Sequence, residues 1–259
     1  MDTKQVMSKS NGTAVQAGQR AGQIVPHDHG HSLHYYDVLT VLSAITAVCT
    51  NMLALKFAQI GPIKFSAAVL FFPITYILGD VLTEVYGFRR ARRVIWLSFG
   101  AMLFAAFMSW VVIALPPAPE RQEIHDHFKA VFTAVPRIFA ASLLAFLVGD
   151  FVNSIVMARR KVIDHGRSFW KRAILSTVLG QAADSLIFYP LAFAGMMSWK
   201  LIITVMVTQY TLKVGIEVLG VPLSYQVAMF LKRAEGVDYY DRPENLNPFG
   251  LSVDDGEES

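Results

Sequence analysis

The stretch "AVLFFPITYILGDVLTEVYGFRRARR", Ala68 to Arg93, decides how this chain folds. Its apolar run stops at Gly79, too soon to cross a bilayer, and it reaches the basic cluster at Arg89 only by taking Asp80 and Glu84 with it. A membrane helix needs about 20 mainly apolar residues to cover a hydrocarbon core of roughly 30 Å. Counted from Phe65 to Tyr86 the segment is long enough, and the two carboxylates then lie in the cytoplasmic half of a membrane. At i and i+4 they share one helix face with Tyr76 and, a turn earlier, with Phe72 and Pro73. A charge at that depth costs roughly 2.5 kcal/mol or more, so it must face a partner or a water-filled cavity.

The rest of the chain agrees with a membrane setting. Of 259 residues, 54% are hydrophobic and only 17% charged, and the mean hydropathy is +0.41. A soluble domain of that size is far more polar. Long apolar runs separated by short basic connectors exclude a transmembrane barrel, whose strands alternate every second residue. The net charge of +3 resides in connectors and reports topology, not a nucleic-acid partner. Cys49, inside an apolar run, leaves no disulfide framework and reads as a packing residue.

The expected fold is an all-α integral membrane protein with six transmembrane helices. The spans are predicted at Tyr36 to Gln59, Phe65 to Tyr86, Arg93 to Leu115, Val131 to Met157, Ala173 to Gly195 and Trp199 to Gly220, the last able to continue past Pro222 to Phe230. Basic residues follow spans two (Arg89, Arg90, Arg92, Arg93), four (Arg159, Arg160, Lys161, Arg167, Lys171, Arg172) and six (Lys232, Arg233). The positive-inside rule then puts these connectors and both termini in the cytoplasm. Residues 1–34 read as a flexible tail, 35–233 as the membrane domain and 234–259 as an acidic, disordered tail. The "HDHGHSLH" of the first tail, with His27, His29, His31 and His34, reads as solvated chain, not as a metal site. The tail has no apolar core of a signal peptide.

Repetition among the polar residues points to a ligand. Gly79, Asp80 and Thr83 recur in pattern as Gly149, Asp150 and Asn153, and again as Gly180, Gln181 and Asp184. A small residue beside two polar groups lets backbones approach while polar side chains meet. Span one adds Asn51 and Lys56; span six adds Gln209, Tyr210, Lys213 and Glu217. The acids outnumber Lys56, Lys213 and Arg137, so those not paired are protonated or serve a cation. A cavity of this kind suits a ligand rich in hydrogen-bond donors. A guanine-like base qualifies: one carboxylate accepts from N1–H and the 2-amino group together, and Phe72, Tyr76 or Tyr210 stacks on the ring.

The segments "NMLALK", "FFPITYILGDVLTEVYGFRRARRVIW", "PRIFAASLLAFLVGD", "STVLGQAADSLIF" and "QYTLKVGIEV" resemble the queuosine precursor transporter family, also described as a putative vitamin uptake family. The resemblance covers about Asp37 to Leu231. It implies uptake of the 7-deazaguanines preQ0 or preQ1 across the bacterial inner membrane, and a fold similar to the substrate-binding subunits of energy-coupling-factor transporters. Carried onto this sequence, the polar positions of interest are Asn51, Lys56, Tyr76, Asp80, Glu84, Arg137, Asp150, Gln181, Asp184 and Lys213, and an acid among Asp80, Glu84 and Asp184 is expected to bind the guanine-type edge. No cofactor is expected, and the absence of a phosphate-cradling glycine-rich loop means that the chain itself does not hydrolyse ATP. Proton coupling, facilitated flux and a separate energising ATPase stay open. The rival enzyme class is an intramembrane aspartyl protease, which "ILGD" and "LVGD" resemble in part. Ile77 and Leu147 stand where that motif has its first glycine, and the polar groups are spread over more than two helices.

Overall fold

The computed structural model describes residues 33–53, 56–60, 63–66, 68, 71–132, 136–241 and 246–249. In chain order the elements are α1 (His34–Leu53), β1 (Phe57–Ile60), β2 (Ile63–Ser66), α2 (Phe72–Tyr86), α3 (Phe88–Ala114), a 3-10 turn (Pro119–Arg121), α4 (Gln122–Phe132), α5 (Pro136–Ile163), α6 (Phe169–Phe193) and α7 (Trp199–Glu235). Among the described residues α1, α3, α5, α6 and α7 are long and apolar enough to cross a membrane. The chain is a multi-pass helical membrane protein.

Three expected spans need correction. The first helix ends at Leu53, not Gln59, and the second does not begin at Phe65. Between them β1 and β2 pair antiparallel, with Ile60 opposite Ile63. The sequence Gly61-Pro62 denies an α-helix a backbone donor and the conformational bias it needs. α2 starts only at Phe72, with Pro73 in its first turn, where the missing N–H costs nothing. Its 15 residues rise about 22 Å, short of a full hydrocarbon core. The fourth expected span likewise divides: the amphipathic α4 ends at Phe132 and α5 runs from Pro136. In contrast α7 passes through Pro222 as one helix of 37 residues.

The basic connectors meet at one end of the bundle. There the start of α1 touches the end of α7, as Tyr35 N donates to Glu235 Oε1 at 2.8 Å, and the start of α3, as the Tyr36 hydroxyl donates to Arg90 O at 3.1 Å. A core of Val81, Val85, Tyr86, Met157, Ala173 and Val221 packs behind this end. Leucines and aromatics such as Leu219 and Phe104 stay exposed on the outer surface, as lipid-facing residues do.

α2 and α3 are joined through Gly87 alone, at φ +79°. A Cβ there would strain the backbone and sit 3.2 Å from Asp241 Oδ2. That contact, with those below, corrects the expectation of a disordered C-terminal tail at residues 236–241 and 246–249. Asp241 Oδ2 accepts from Phe88 N at 2.7 Å, capping a helix whose preceding glycine has no side chain to do so. Tyr239 N donates to Val85 O at 3.2 Å. Arg92 Nη1 donates to Asn247 O at 2.5 Å, and Trp96 Nε1 to Pro248 O at 3.0 Å. The tail lies over the basic end because it supplies acids and carbonyls to bases and helix starts that need acceptors. His27, His29 and His31 fall outside the described residues, as do 250–259; His34 lies in the first turn of α1.

Candidate functional site

Glu84 and Asp80, one turn apart on α2, have opposite surroundings. Glu84 is 1% exposed and accepts from Arg172 Nε at 2.9 Å and Nη2 at 2.6 Å. Lys232 Nζ reaches it at 2.5 Å, and Lys161 Nζ lies at 4.0 Å. Lys161 also donates to Glu84 O, Asp238 Oδ1 and Tyr239 O. This carboxylate is fully committed: it ties α2, α6 and α7 together and leaves no edge for a ligand.

Asp80 faces the interior. It accepts from Asn153 Nδ2 at 2.9 Å, with Thr83 Oγ1 donating to Ser154 Oγ at 3.2 Å one turn along the same α2–α5 seam. α5 meets α6 where Gly149 faces Gly180. A Cβ on Gly149 would lie 3.1 Å from Asp184 Cβ, and one on Gly180 would lie 3.0 Å from Asn153 Cβ and 3.1 Å from Gly149 O. Only hydrogen fits at this seam, and the approach brings Asp150, Asn153, Gln181 and Asp184 into one layer.

Two cavities open beside that layer, and Thr75, Tyr76, Phe146 and Asp150 line both. One continues along Gly79, Ser98, Asn153 and Ser154. The other continues to Asn51, Phe72, Ser142 and Asp184. Their volumes, about 20 and 50 Å³, suit water molecules. Asp184 Oδ2 accepts from Lys213 Nζ at 2.8 Å, and the same ammonium stands 3.9 Å from the centre of the Phe72 ring. Asp150, by contrast, has no ion pair or hydrogen-bond partner among the described residues. A carboxylate on the wall of both cavities, with its acceptors open, can receive a donor-rich ligand.

The structure therefore gathers Phe72, Tyr76, Asp80, Asp150, Gln181, Asp184 and Lys213, with Asn51 at the margin, where its Oδ1 accepts from Ser142 Oγ at 2.7 Å. It does not gather the rest. Lys56 is exposed beside the hairpin, so the expectation of a second buried lysine is corrected. Arg137 is exposed and donates to Leu191 O at 2.5 Å. The Tyr210 hydroxyl donates to Val178 O at 3.3 Å and lines neither cavity. Glu84 lies in the ion cluster already described. Asn153 and Glu217, noted in the sequence only as polar, belong to the layer: Asn153 holds Asp80, and Glu217 Oε1 accepts from Gln181 Nε2. The repeat of Gly149 and Asp150 with Asn153 was the signal for the first. The signal for the second was the i+4 spacing from Lys213.

The model of the family described as "Putative vitamin uptake transporter" matches residues 66–227, which include every residue of the polar layer. A Bacillus subtilis (strain 168) protein named "Probable queuosine precursor transporter" is 25% identical over 198 residues, 76% of this chain and 86% of that protein. The "Queuosine precursor transporter" of Escherichia coli (strain K12) is 29% identical over 124 residues, 47% of this chain and 52% of its own length. A Haemophilus influenzae protein named "Probable queuosine precursor transporter" is 29% identical over 126 residues, 48% and 50% of the two chains. The chain thus spans about half the length of the last two. No solved structure matches.

Proposed function

This chain belongs to the family described as "Putative vitamin uptake transporter", and from that membership we propose that it imports queuosine precursors, the 7-deazaguanines preQ0 and preQ1, across the bacterial inner membrane. Its relatives are named transporters, not enzymes, and the protease reading falls with that. The observation that carries the proposal is Asp150, an open carboxylate on the wall shared by two cavities, with Tyr76 beside it.

A guanine-type edge offers two parallel donors, N1–H and the 2-amino group, and a carboxylate accepts both at once. Tyr76 and Phe72 supply ring faces for stacking. Asp184 and Lys213, already paired, give a second acceptor–donor set for the far side of the ring. Asp80 acts through Asn153 and holds the seam behind the cavity. The cavities at their present size admit water but not a bicyclic base, so the base enters as the helices part and the state described is closed.

Six crossings fit this reading, the second built from the hairpin and α2 together, since α1 begins and α2 ends at the same basic end of the bundle. That end is cytoplasmic, and the start of α1 and the end of α7 lie with it. Uptake of preQ0 or preQ1 into liposomes holding only the purified protein tests the function. Uptake without a partner supports a transporter that works alone. Binding without uptake points to a substrate-binding subunit that needs a separate ATPase module, and neither binding nor uptake overturns the substrate assignment.

A further inference from the structure

Gln181 on α6 and Glu217 on α7 meet in the buried core, and each keeps one polar atom without a partner. Gln181 Nε2 donates to Glu217 Oε1, while among the described residues Gln181 Oε1 and Glu217 Oε2 have no hydrogen-bond partner. Gln181 is 0% exposed and Glu217 5%, so water does not satisfy either atom. An ionised carboxylate is acceptor-only, and so is an amide oxygen. Two such acceptors on neighbouring forks, buried and unpaired, each cost a desolvation penalty with nothing returned.

One proton removes both deficits. A carboxylic acid presents one donor and one acceptor on a single fork, and a primary amide presents the same set, so the two close into a reciprocal pair. Nε2–H donates to Oε1, and Oε2–H donates to the amide oxygen. The surroundings favour the proton as well. α7 packs against α2 and α6, and the titratable groups these present to Glu217 are Asp80, Tyr76 and Asp184. Among the described residues the cation that acts on Glu217 is Lys213 on α7 itself, already held by Asp184 at 2.8 Å and standing over Phe72. A second negative charge in that company has no base left to meet it.

We propose that Glu217 is a proton-binding site, carrying a proton on Oε2 that it shares with Gln181 Oε1 in the closed state and releases to water when α6 and α7 separate. The Oε2–H bond forms as the pair closes and breaks as it opens, with water as donor and acceptor of the proton. Its role in transport rests on the functional reading above: opening of the substrate path is then tied to a proton leaving Glu217.

Infrared spectroscopy of the purified full-length protein near neutral pH, without substrate, tests the site itself. The wild type should show a protonated-carboxyl C=O band that Glu217→Gln removes, because the amide keeps the fork but carries no acid. Gln181→Leu should move that band to higher frequency, since the acid carbonyl loses the bond from Nε2. If Glu217→Gln leaves the protonated-carboxyl region unchanged, or Gln181→Leu moves no band in it, Glu217 is ionised and the proposal fails. Should Glu217→Gln not fold, the Gln181→Leu spectrum decides alone. Since no substrate is present, a negative spectrum leaves the transport reading standing, and a failure of precursor uptake leaves the spectrum standing.

Discussion

Arg172 and Glu84 form a two-pronged ion pair at 2.6 and 2.9 Å, each side chain 1% exposed, at the end of the bundle where the basic connectors meet. The pair joins α2 to α6, and Lys232 brings α7 to the same carboxylate. Removing one partner of such a pair leaves a buried charge unmet and costs roughly 3–5 kcal/mol. Arg172→Met should therefore lower the thermal midpoint of purified protein sharply, and Glu84→Gln should do so more strongly still, because it leaves the buried Arg172 guanidinium with no carboxylate and Lys161 and Lys232 with Asp238 alone. Unchanged melting in both would mean that the cluster is dispensable to the fold.

The seam between α5 and α6 gives a second expectation. Gly180→Ala places a methyl 3.1 Å from Gly149 O and 3.0 Å from Asn153 Cβ. A backbone carbonyl does not swing aside as a flexible side chain would, so the helices must move apart. Overpacking of that kind costs about 1–3 kcal/mol, and it also draws Asn153 away from Asp80. Gly100→Ala is the control, for nothing lies within 4 Å of its Cβ. The two variants should separate clearly in a melting assay, and equal midpoints would show that the approach is not tight.

How much of this was legible in the sequence depended on what each residue's signal contained. Gly149 and Gly180 announced the close seam because their spacing from Asp150 and Gln181 repeats. Lys213 announced a buried base, and it has its acid in Asp184. Glu84 meets bases and not a ligand, which its own position does not announce, because Arg172 and Lys232 stand in connectors or at helix ends where they read only as topology markers. The hairpin hides in the sequence because Phe57–Ile60 and Ile63–Ser66 continue the apolar run of a span, and only Gly61-Pro62 between them marks a break. The packed C-terminal strap was hidden by its polar composition: Asp238 and Asp241 fold down because they meet Lys161 and the start of α3.

That strap supplies a third expectation. Asp241 accepts from Phe88 N at 2.7 Å, and loss of a helix cap costs about 1 kcal/mol. Asp241→Ala should lower stability by that modest amount and Asp241→Asn by less, since the amide oxygen still accepts. Burial holds the Asp241 carboxyl above the usual carboxylate range, against the bonds from Phe88 and Arg89. A melting shift as large as that of Arg172→Met would show that the strap does more than cap a helix.

The orientation is open to direct labelling. In a Cys49→Ser background, a cysteine at the exposed Arg160 should resist a membrane-impermeant thiol reagent in intact cells, and one at the exposed Glu123 on α4 should react. The reverse pattern would invert the topology, and labelling at both sites would break the span assignment.

In the proposed site Asp150 is the acceptor of the base. Asp150→Asn keeps the shape of the cavity wall but sets an amide donor against the donors of the guanine-type edge. A charge-assisted hydrogen bond is worth roughly 1.5–3 kcal/mol, and the buried donors left unmet add to the loss, so binding should weaken by about tenfold or more. The decisive measurement is the affinity of the purified, folded protein for preQ0 and preQ1, wild type beside Asp150→Asn. A drop of that size with an unchanged melting curve is the predicted result; wild-type affinity in the variant would contradict the site.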